Sequence, residues 1–185
     1  MGQIEAENIL REIEAKSDKS FLPIIGPRKG RILADAIRKN RPETVLEVGT
    51  LIGYSAILMG KEMGKKAKLT TIEIHPDEAR VAEENIRRAE ISPQVRVLVG
   101  DAKELLPKLE GNFDFVFIDA EKSEYMDYLR LIEDKLHKGS TIVADNAGIF
   151  ADAMENYLTY VRTSKKFESE FFPVGEDGVE VSIKL

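Results

Sequence analysis

Acidic or amide side chains stand at the ends of five short apolar runs in this chain. They are Glu47, Glu73, Asp101, Asp119 and the pair Asp145-Asn146. Carboxylate and amide oxygens can bind ribose hydroxyls, hold a positively charged ligand, or coordinate a hard cation such as Mg²⁺ or Ca²⁺. A single acid of this kind is as often a turn or helix-cap residue. Five in the same position of successive runs indicate one binding site.

The stretch from Thr44 to Ser55 has the pattern of a ligand-binding turn. A short apolar strand, Val45 to Val48, breaks at Gly49, and a helical pattern starts near Gly53. A glycine turn lets a ligand approach the backbone closely, and the start of a helix offers unpaired N–H groups. The carboxylate of Glu47 would repel an exposed phosphate, so the stretch favours a cationic or neutral ligand.

Two common nucleotide signatures are missing from this stretch. The spacing Gly49-x-x-x-Gly53 lacks the second close-approach glycine of the dinucleotide motif, and no Gly-Lys-Ser/Thr sequence is present. Glu73 follows at the end of the next apolar run, which is the position where α/β cofactor folds bind ribose hydroxyls. A cofactor with a ribose is therefore expected, but a nicotinamide-dependent reductase is disfavoured.

Length and composition narrow the class of protein. The 185 residues fit one domain, 1–185. We expect residues 1–40 to form N-terminal helices that cover the cofactor site and residues 41–185 to form the core. The chain has no cysteine, no apolar run of membrane-spanning length and no signal-peptide pattern, so we expect a cytoplasmic protein without membrane association. The net charge of −6 argues against general nucleic-acid affinity.

The order of elements predicts the fold class. Apolar runs predict strands at 45–48, 68–74, 95–99, 113–118 and 141–144. Helical patterns lie at 4–15 and 28–39 and between the strands, including one that carries Tyr125, Leu129, Ile132 and Leu136 and ends at Gly139. An Asp-Gly turn within 175–178 predicts a closing hairpin. We therefore predict an α/β fold: a doubly wound, mostly parallel seven-stranded sheet with a C-terminal antiparallel hairpin.

This sequence of motifs resembles a known family. The matching segments are Leu46-Glu-Val-Gly-Thr50, Gly53-Tyr-Ser55, Thr71-Ile-Glu-Ile74, Gly100-Asp-Ala102, Phe117-Ile-Asp-Ala120 with Lys122, and Asp145-Asn146. They resemble the class I S-adenosylmethionine methyltransferases, and within them the cation-dependent O-methyltransferases typified by catechol and caffeoyl-CoA O-methyltransferases. The resemblance runs from about residue 24 to the C-terminus. It implies a Rossmann-like methyltransferase fold and a homodimer.

The resemblance assigns roles to the cofactor-binding positions. Glu47, Gly49, Thr50 and Ser55 would hold the methionine portion of S-adenosylmethionine, whose ammonium and sulfonium groups are positive. The remaining cofactor positions would be Glu73 on the ribose, Ile74 against adenine, Asp101 and Ala102 at the adenine edge, and Asp119.

The resemblance also assigns a metal site and two catalytic residues. Asp119, Asp145 and Asn146 would bind a divalent cation, and three oxygen ligands suit Mg²⁺ or Ca²⁺ rather than zinc. The cation would lower the pKa of an acceptor hydroxyl, whose oxygen then attacks the sulfonium methyl in line. Lys122 and Asp119 would be the catalytic residues, with Lys122 as a base or an electrostatic partner. An ordinary surface role for Lys122 stays open.

Several functional readings stay open at this point. The leading one is an O-methyltransferase acting on a small hydroxylated acceptor. A basic helix face with Arg28, Arg31 and Arg38 keeps tRNA or another macromolecule as a possible acceptor. The loop after Asn146 looks short, so the acceptor pocket would be open or completed by another subunit, and a cofactor-binding protein without catalysis is a third reading. His75 and His137 are interpreted as cap or surface residues.

Overall fold

The computed structural model describes residues 2–185 as alternating helices and strands. The helices α1 to α7 are Gly2–Ser17, Gly26–Asn40, Tyr54–Gly60, Pro76–Ala89, Ala102–Leu105, Tyr125–Ile132 and Glu155–Thr163. The strands β1 to β7 are Thr44–Val48, Lys68–Glu73, Gln94–Val99, Phe113–Ile118, Leu136–Ala144, Phe167–Val174 and Asp177–Lys184.

The seven strands form one sheet in the order β3-β2-β1-β4-β5-β7-β6. Strands β1 to β5 pair in parallel, and β7 runs antiparallel to both of its neighbours, β5 and β6. The predicted fold class is confirmed, including the C-terminal hairpin. The strand order reverses between β1 and β4, which is where a doubly wound sheet opens a crevice for a ligand.

Helices cover both faces of the sheet, because the parallel strands are apolar on both sides. Alternate residues of a strand enter different clusters: Val45 packs with α1, α2 and α3 on one face, whereas Leu46 packs with α6 and α7 on the other. Phe115 and Val116 divide in the same way on β4. Within the described residues, no helix combines the length and apolar character needed to cross a membrane.

The predicted helix through Leu136 to Gly139 is wrong. Helix α6 ends at Ile132, a single 3₁₀ turn follows, and β5 begins at Leu136. Leu136 is buried and pairs with Phe113 on β4, after which the register shifts. The side chain of Leu136 stands four residues after Ile132, so helical spacing fits it. Pairing with β4 is a tertiary contact that overrides that local pattern.

The strand start at β5 carries a histidine whose titration can be tested. His137 Nε2 lies 2.8 Å from Asp114 Oδ1, and its Nδ1 lies 2.9 Å from the Lys138 carbonyl oxygen. Both contacts raise the pKa of His137. We expect Asp114→Asn to lower that pKa in an NMR titration, with His75 at the other end of the strands as internal control. The ion pair stabilises the fold below the ordinary histidine pKa and is lost as pH rises through the raised one.

An unchanged His137 titration in the Asp114→Asn variant would contradict this assignment. Asp114 Oδ2 also accepts hydrogen bonds from the Thr44 N–H and hydroxyl, at 2.8 and 3.0 Å. A melting curve of the variant therefore separates a local effect on the imidazole from a general loss of structure.

Candidate active site

A cleft of about 810 Å³ opens beyond the carboxyl ends of β1, β2, β4 and β5. It lies at the point where the strand order reverses. Nearly all the site residues chosen from the sequence line it: Gly49, Thr50, Ser55, Glu73, Ile74, Asp101, Ala102, Asp119, Lys122, Asp145 and Asn146. Glu47 is the exception.

The turn between β1 and α3 requires its two glycines. Gly49 has φ +100°, and a Cβ there would lie 2.0 Å from the carbonyl oxygen of Asp119. Gly53 has φ +87° and packs against Ala82 of α4, where a Cβ would lie 3.3 Å from that residue's backbone. Glycine at these positions lets β1, β4 and α4 approach closely. Any residue larger than glycine at either position would disturb this turn.

Glu47 is fully buried beneath this turn and does not line the cleft. Its Oε1 accepts a hydrogen bond from the Ser55 hydroxyl, and its Oε2 accepts one from the Thr71 hydroxyl at 2.5 Å. Burial raises the pKa of Glu47 to about 8, against the lowering effect of these two hydroxyls, and two nearby carboxylates add to the rise. Glu47 therefore reaches the cleft indirectly, through Ser55 in its wall and through Thr71, whose hydroxyl is hydrogen-bonded to that of Thr50.

Two backbone N–H groups orient the carboxylate of Glu73. The Leu51 N–H donates to its Oε2 at 2.7 Å, and the His75 N–H donates to its Oε1 at 2.9 Å. Leu51 adopts φ +50°, an uncommon conformation for this residue type, which aims its N–H at the acid. His75 and Glu78 bring metal-ligand atoms within 4.8 Å of Glu73. Backbone N–H groups already bind both oxygens of Glu73. Its carboxylate is therefore better suited to accepting hydrogen bonds from ligand hydroxyls than to coordinating a metal.

The far end of the cleft has an apolar platform and a capped helix start. Ile74 is 58% exposed, as a residue that packs on a planar ligand would be. Asp101 Oδ1 accepts from the Lys103 N–H at 2.8 Å and caps α5. Ala102 is buried at the first position of that helix. Asp101 thus has a structural role, and its second carboxylate oxygen is free of hydrogen bonds from the described residues.

At the opposite end of the cleft, Asp119 and Asp145 meet at the ends of adjacent strands. Ile118 and Ala144 are partners in the β4–β5 register, so the next residue on each strand faces the other. Burial and the Asp119 carboxylate raise the pKa of Asp145. The sequence predicted this convergence, and the strand register produces it.

Lys122 lies against the acidic pair. Its Nζ donates to Asp119 Oδ1 at 2.8 Å and to the Tyr125 hydroxyl at 3.2 Å, and it lies 5.4 Å from the Tyr125 ring centroid. The Tyr125 hydroxyl in turn donates to the Asp145 carbonyl oxygen at 3.3 Å. Burial raises the pKa of Tyr125 well above its ordinary value, so the hydroxyl keeps its proton. Tyr125 therefore holds the Lys122 ammonium in the cleft wall.

Two residues that sequence reasoning missed complete this end of the site. Lys29 Nζ donates to Asp145 Oδ2 at 2.8 Å and to Asp177 Oδ2 at 2.7 Å. The two carboxylates raise the pKa of Lys29, although burial works against its charge. The sequence did contain a signal that Lys29 faces inward. It precedes Leu33, a buried residue of α2, by four residues and so lies on the same helix face. Asp177 was interpreted only as part of the hairpin turn.

The mouth of the cleft is apolar. Phe21 and Pro23 come from the loop between α1 and α2, and Ile149 and Phe150 come from the turns that follow Asn146. Phe21 is 96% exposed. The segment after Asn146 is a run of turns that reaches α7 at residue 155, so it contributes a wall of the cleft despite its shortness.

The donor set fits a hard divalent cation. Asp145 Oδ1 is buried and lacks a hydrogen-bond partner among the described residues. Lys29 Nζ lies 2.7 Å from this oxygen, but its hydrogen bond is directed to Oδ2. Asn146 uses its Nδ2 to donate to Asp177, which leaves its Oδ1 available. Carboxylate and amide oxygens without histidine or cysteine suit Mg²⁺ or Ca²⁺.

The fold and the cleft define a Rossmann-like methyltransferase architecture. A family model described as O-methyltransferase matches residues 3–167, and the chain belongs to this O-methyltransferase family. It is 33% identical over 172 residues to catechol O-methyltransferase from Mus musculus, an alignment that covers 89% of this chain and 64% of the mouse protein. The chain thus spans less than two thirds of the length of that relative.

Two solved structures are similar over almost the whole chain. Cofactor-bound Rv0187 from MTB has a TM-score of 0.85 at 30% identity, covering 96% of this chain and 89% of its own. An O-methyltransferase from Bacillus cereus, solved in complex with SAH, has a TM-score of 0.85 at 22% identity, covering 98% of this chain and 90% of its own. At that identity the second likeness concerns the fold alone.

Proposed function

We propose that this protein is an S-adenosylmethionine-dependent O-methyltransferase, assisted by a divalent cation, that acts on a small hydroxylated acceptor. The observation that carries the proposal is the convergence of Asp119, Asp145 and Asn146 at one end of a cleft. The other end of that cleft holds an oriented carboxylate, Glu73, at the ribose position. Membership of the O-methyltransferase family supports the same activity.

The cofactor would lie along the cleft from the β1 turn to α5. Gly49 and Thr50 offer backbone at the turn, and Ser55 offers a hydroxyl supported by buried Glu47. Glu73 would accept hydrogen bonds from the ribose hydroxyls. The adenine ring would lie on Ile74, with its edge against Asp101 and Ala102; Asp119 would contact the methionine portion. This arrangement gives Glu47 an indirect role.

Asp119, Asp145 and Asn146 would hold the cation, which supplies Lewis-acid lowering of an acceptor hydroxyl's pKa. Asp119 and Lys122 would orient the acceptor oxygen toward the methyl group, since both side chains line the same end of the cleft. The apolar mouth formed by Phe21 and Phe150 would exclude water and pack on an aromatic ring. Proximity of the two reactants then supplies much of the rate.

The basic face of α2 is partly paired with acids of the protein itself, and this favours a small acceptor over tRNA. Arg38 pairs with Asp35 and lies 3.1 Å from Glu62, so part of that face is neutralised within the protein. The name of the mouse relative, catechol O-methyltransferase, also points to a small acceptor. A homodimer and a cytoplasmic location are further parts of the proposal, which sedimentation and cell fractionation test.

Two experiments test the function. One is calorimetry with S-adenosylmethionine, and the other is a methyl-transfer assay with catechols, flavonoids and tRNA as acceptors. We expect cofactor binding, and methylation of a diol that stops when EDTA removes divalent cations. Methylation of tRNA with salt-sensitive RNA binding would favour the macromolecular acceptor. Cofactor binding without any transfer would favour a binding protein, and tighter binding of NADH than of S-adenosylmethionine would contradict the proposal.

The role of Lys122 is tested by Lys122→Met, which keeps most of the side-chain length and removes the ammonium group. We expect kcat to fall about 100-fold, the lower end of the range for a group that moves or stabilises a proton. The cofactor dissociation constant should change little. Lys138, exposed on β5 away from the cleft, provides the matched control as Lys138→Met. Equal activity of the two variants would make Lys122 an ordinary surface lysine.

A further inference from the structure

The C-terminal hairpin reaches into the acidic end of the cleft through one side chain, Asp177. We propose that Asp177 is a positioning residue that fixes Asn146 with its amide oxygen toward the cation position, and that restrains Asp145 through Lys29. The inference rests on the proposed function, because it assumes that Asp145 and Asn146 are ligands. It adds Asp177 and Lys29 to the site.

Asp177 uses both carboxylate oxygens. Its Oδ2 accepts from Lys29 Nζ at 2.7 Å and from Asn146 Nδ2 at 2.9 Å. Its Oδ1 accepts from the N–H groups of Gly148 and Ile149, each at 3.2 Å. All four of these contacts are N–H donors, and they engage both carboxylate oxygens. The Asp177 side chain therefore acts only as a hydrogen-bond acceptor in this network.

An acceptor-only neighbour determines which way the Asn146 amide is turned. If the amide were reversed, its carbonyl oxygen would face the Asp177 carboxylate and two acceptors would repel each other. The NH₂ group therefore faces Asp177, which leaves Oδ1 available to the cleft that Asn146 lines. That is the orientation a cation requires, because an amide coordinates through oxygen.

The backbone around Asn146 is clamped to the hairpin at the same point. Asn146 adopts φ +60°, and a Cβ added to Gly148 would lie 2.7 Å from the Asp177 Cα. The Ala147 N–H also donates to the Gly178 carbonyl oxygen at 3.1 Å. The hairpin thus fixes the backbone path of the turn after Asn146 as well as the orientation of the Asn146 amide. Asn146 cannot turn over without loss of a contact to Asp177.

Lys29 extends the same restraint to Asp145. Its ammonium lies 2.7 Å from Asp145 Oδ1 and donates to Oδ2, while its other hydrogen bond is to Asp177. Asp145 is 2% exposed, so an unpaired charge there would be costly. The hairpin, α2 and β5 thus meet in one charged network of Asp177, Lys29 and Asp145. Outer partners of this kind typically change metal affinity by about 10–100-fold when removed.

The test is Mn²⁺ binding to the purified protein, measured by calorimetry without cofactor or acceptor. In Asp177→Asn, the new side chain can accept hydrogen bonds from the N–H groups of Gly148 and Ile149 only if its amide oxygen points toward them. Its NH₂ group then faces Asn146, which must turn over and present NH₂ to the cleft. We expect Mn²⁺ affinity to fall at least tenfold. Glu176→Gln removes a charge from the adjacent exposed position of the hairpin and should leave the affinity within twofold.

A second substitution distinguishes positioning from lost charge or lost stability. In the double variant Asp177→Asn with Asn146→Asp, residue 146 can accept from the new amide with one oxygen and keep the other for Mn²⁺. In the wild-type background, Asn146→Asp places two carboxylates against each other. We therefore expect Asn146→Asp to improve Mn²⁺ affinity at least tenfold more in the Asp177→Asn background than in the wild type.

The Asn146 side-chain amide gives a readout that needs no metal. Its NH₂ signals in an ¹⁵N NMR spectrum should shift in Asp177→Asn and stay in place in Glu176→Gln. Equal effects of Asn146→Asp in both backgrounds, or wild-type Mn²⁺ affinity in Asp177→Asn, would overturn the inference and leave the proposed function standing. Absence of Mn²⁺ binding by the wild type would overturn both the cation site and the inference.

Discussion

Substitution of Asp119, Asp145 or Asn146 by Ala, one at a time, is expected to abolish cation-dependent methyl transfer. A Lewis-acid cation stabilises the reacting charge by several kcal/mol, and about 1.4 kcal/mol corresponds to a tenfold rate, so the loss should reach roughly 10³-fold. The three side chains line one end of the cleft and lie on two adjacent strand ends. Steady-state kinetics with and without added Mg²⁺ measures the effect.

Cofactor affinity separates the three variants. Asp145→Ala and Asn146→Ala should bind S-adenosylmethionine almost as the wild type does. Asp119→Ala should bind it more weakly, because we propose that Asp119, which lines the cleft, also contacts the methionine portion of the cofactor. Asp152→Ala, an exposed acid in the turns after Asn146, is the control and should keep full activity. Full cation-dependent turnover in all three site variants would contradict the cation hypothesis.

Substitution of Glu47 by Gln is expected to change the pH dependence of stability strongly. Glu47 is fully buried, and its pKa is raised from 4.5 to about 8. The neutral carboxyl of Glu47 should therefore contribute fully to the free energy of unfolding of the wild type below pH 4.5. This contribution is lost as pH rises from 4.5 through about 8. Since one pKa unit corresponds to about 1.4 kcal/mol, the loss amounts to roughly 4–5 kcal/mol.

Urea unfolding from pH 5 to pH 9 measures this difference. The Gln variant should resemble the wild type near pH 5 and be the more stable of the two at pH 9, because it has no charge to bury. Glu83→Gln, on the exposed face of α4, should follow the wild type at every pH. Parallel curves for wild type and Glu47→Gln would show that Glu47 is not the group responsible.

The sequence predicted most of the fold because the parallel strands are short apolar runs with clear ends. Phe113–Ile118 begins and ends where the pattern placed it, and every predicted strand was found within a residue or two except β5. The error at β5 has a local cause. Leu136 fits a helical spacing and a strand equally well, and only its pairing with Phe113 decides between them.

The acids at the strand ends that line the cleft were also accessible to sequence reasoning. In a parallel sheet the carboxyl ends of the strands share one edge, so Glu73, Asp119 and Asp145 had to converge once the strands were identified. The sequence did not indicate which of these side chains would be exposed to the cleft. Glu47 belongs to the same row of acids, yet it points under α3 and is closed off by Ser55 and Thr71.

The sequence by itself therefore determined the strand ends, the glycine turn and the acids that follow from them, because these depend on local pattern. Only the tertiary structure decided which residues restrain that acidic end of the cleft. Lys29 and Asp177 stand 116 and 32 residues away from Asp145 along the chain, and they reach it because α2 and β7 pack beside β5. The helical pattern places Lys29 on the inward face of α2, but its partners depend on strand order and layer packing, which no local pattern of residues records.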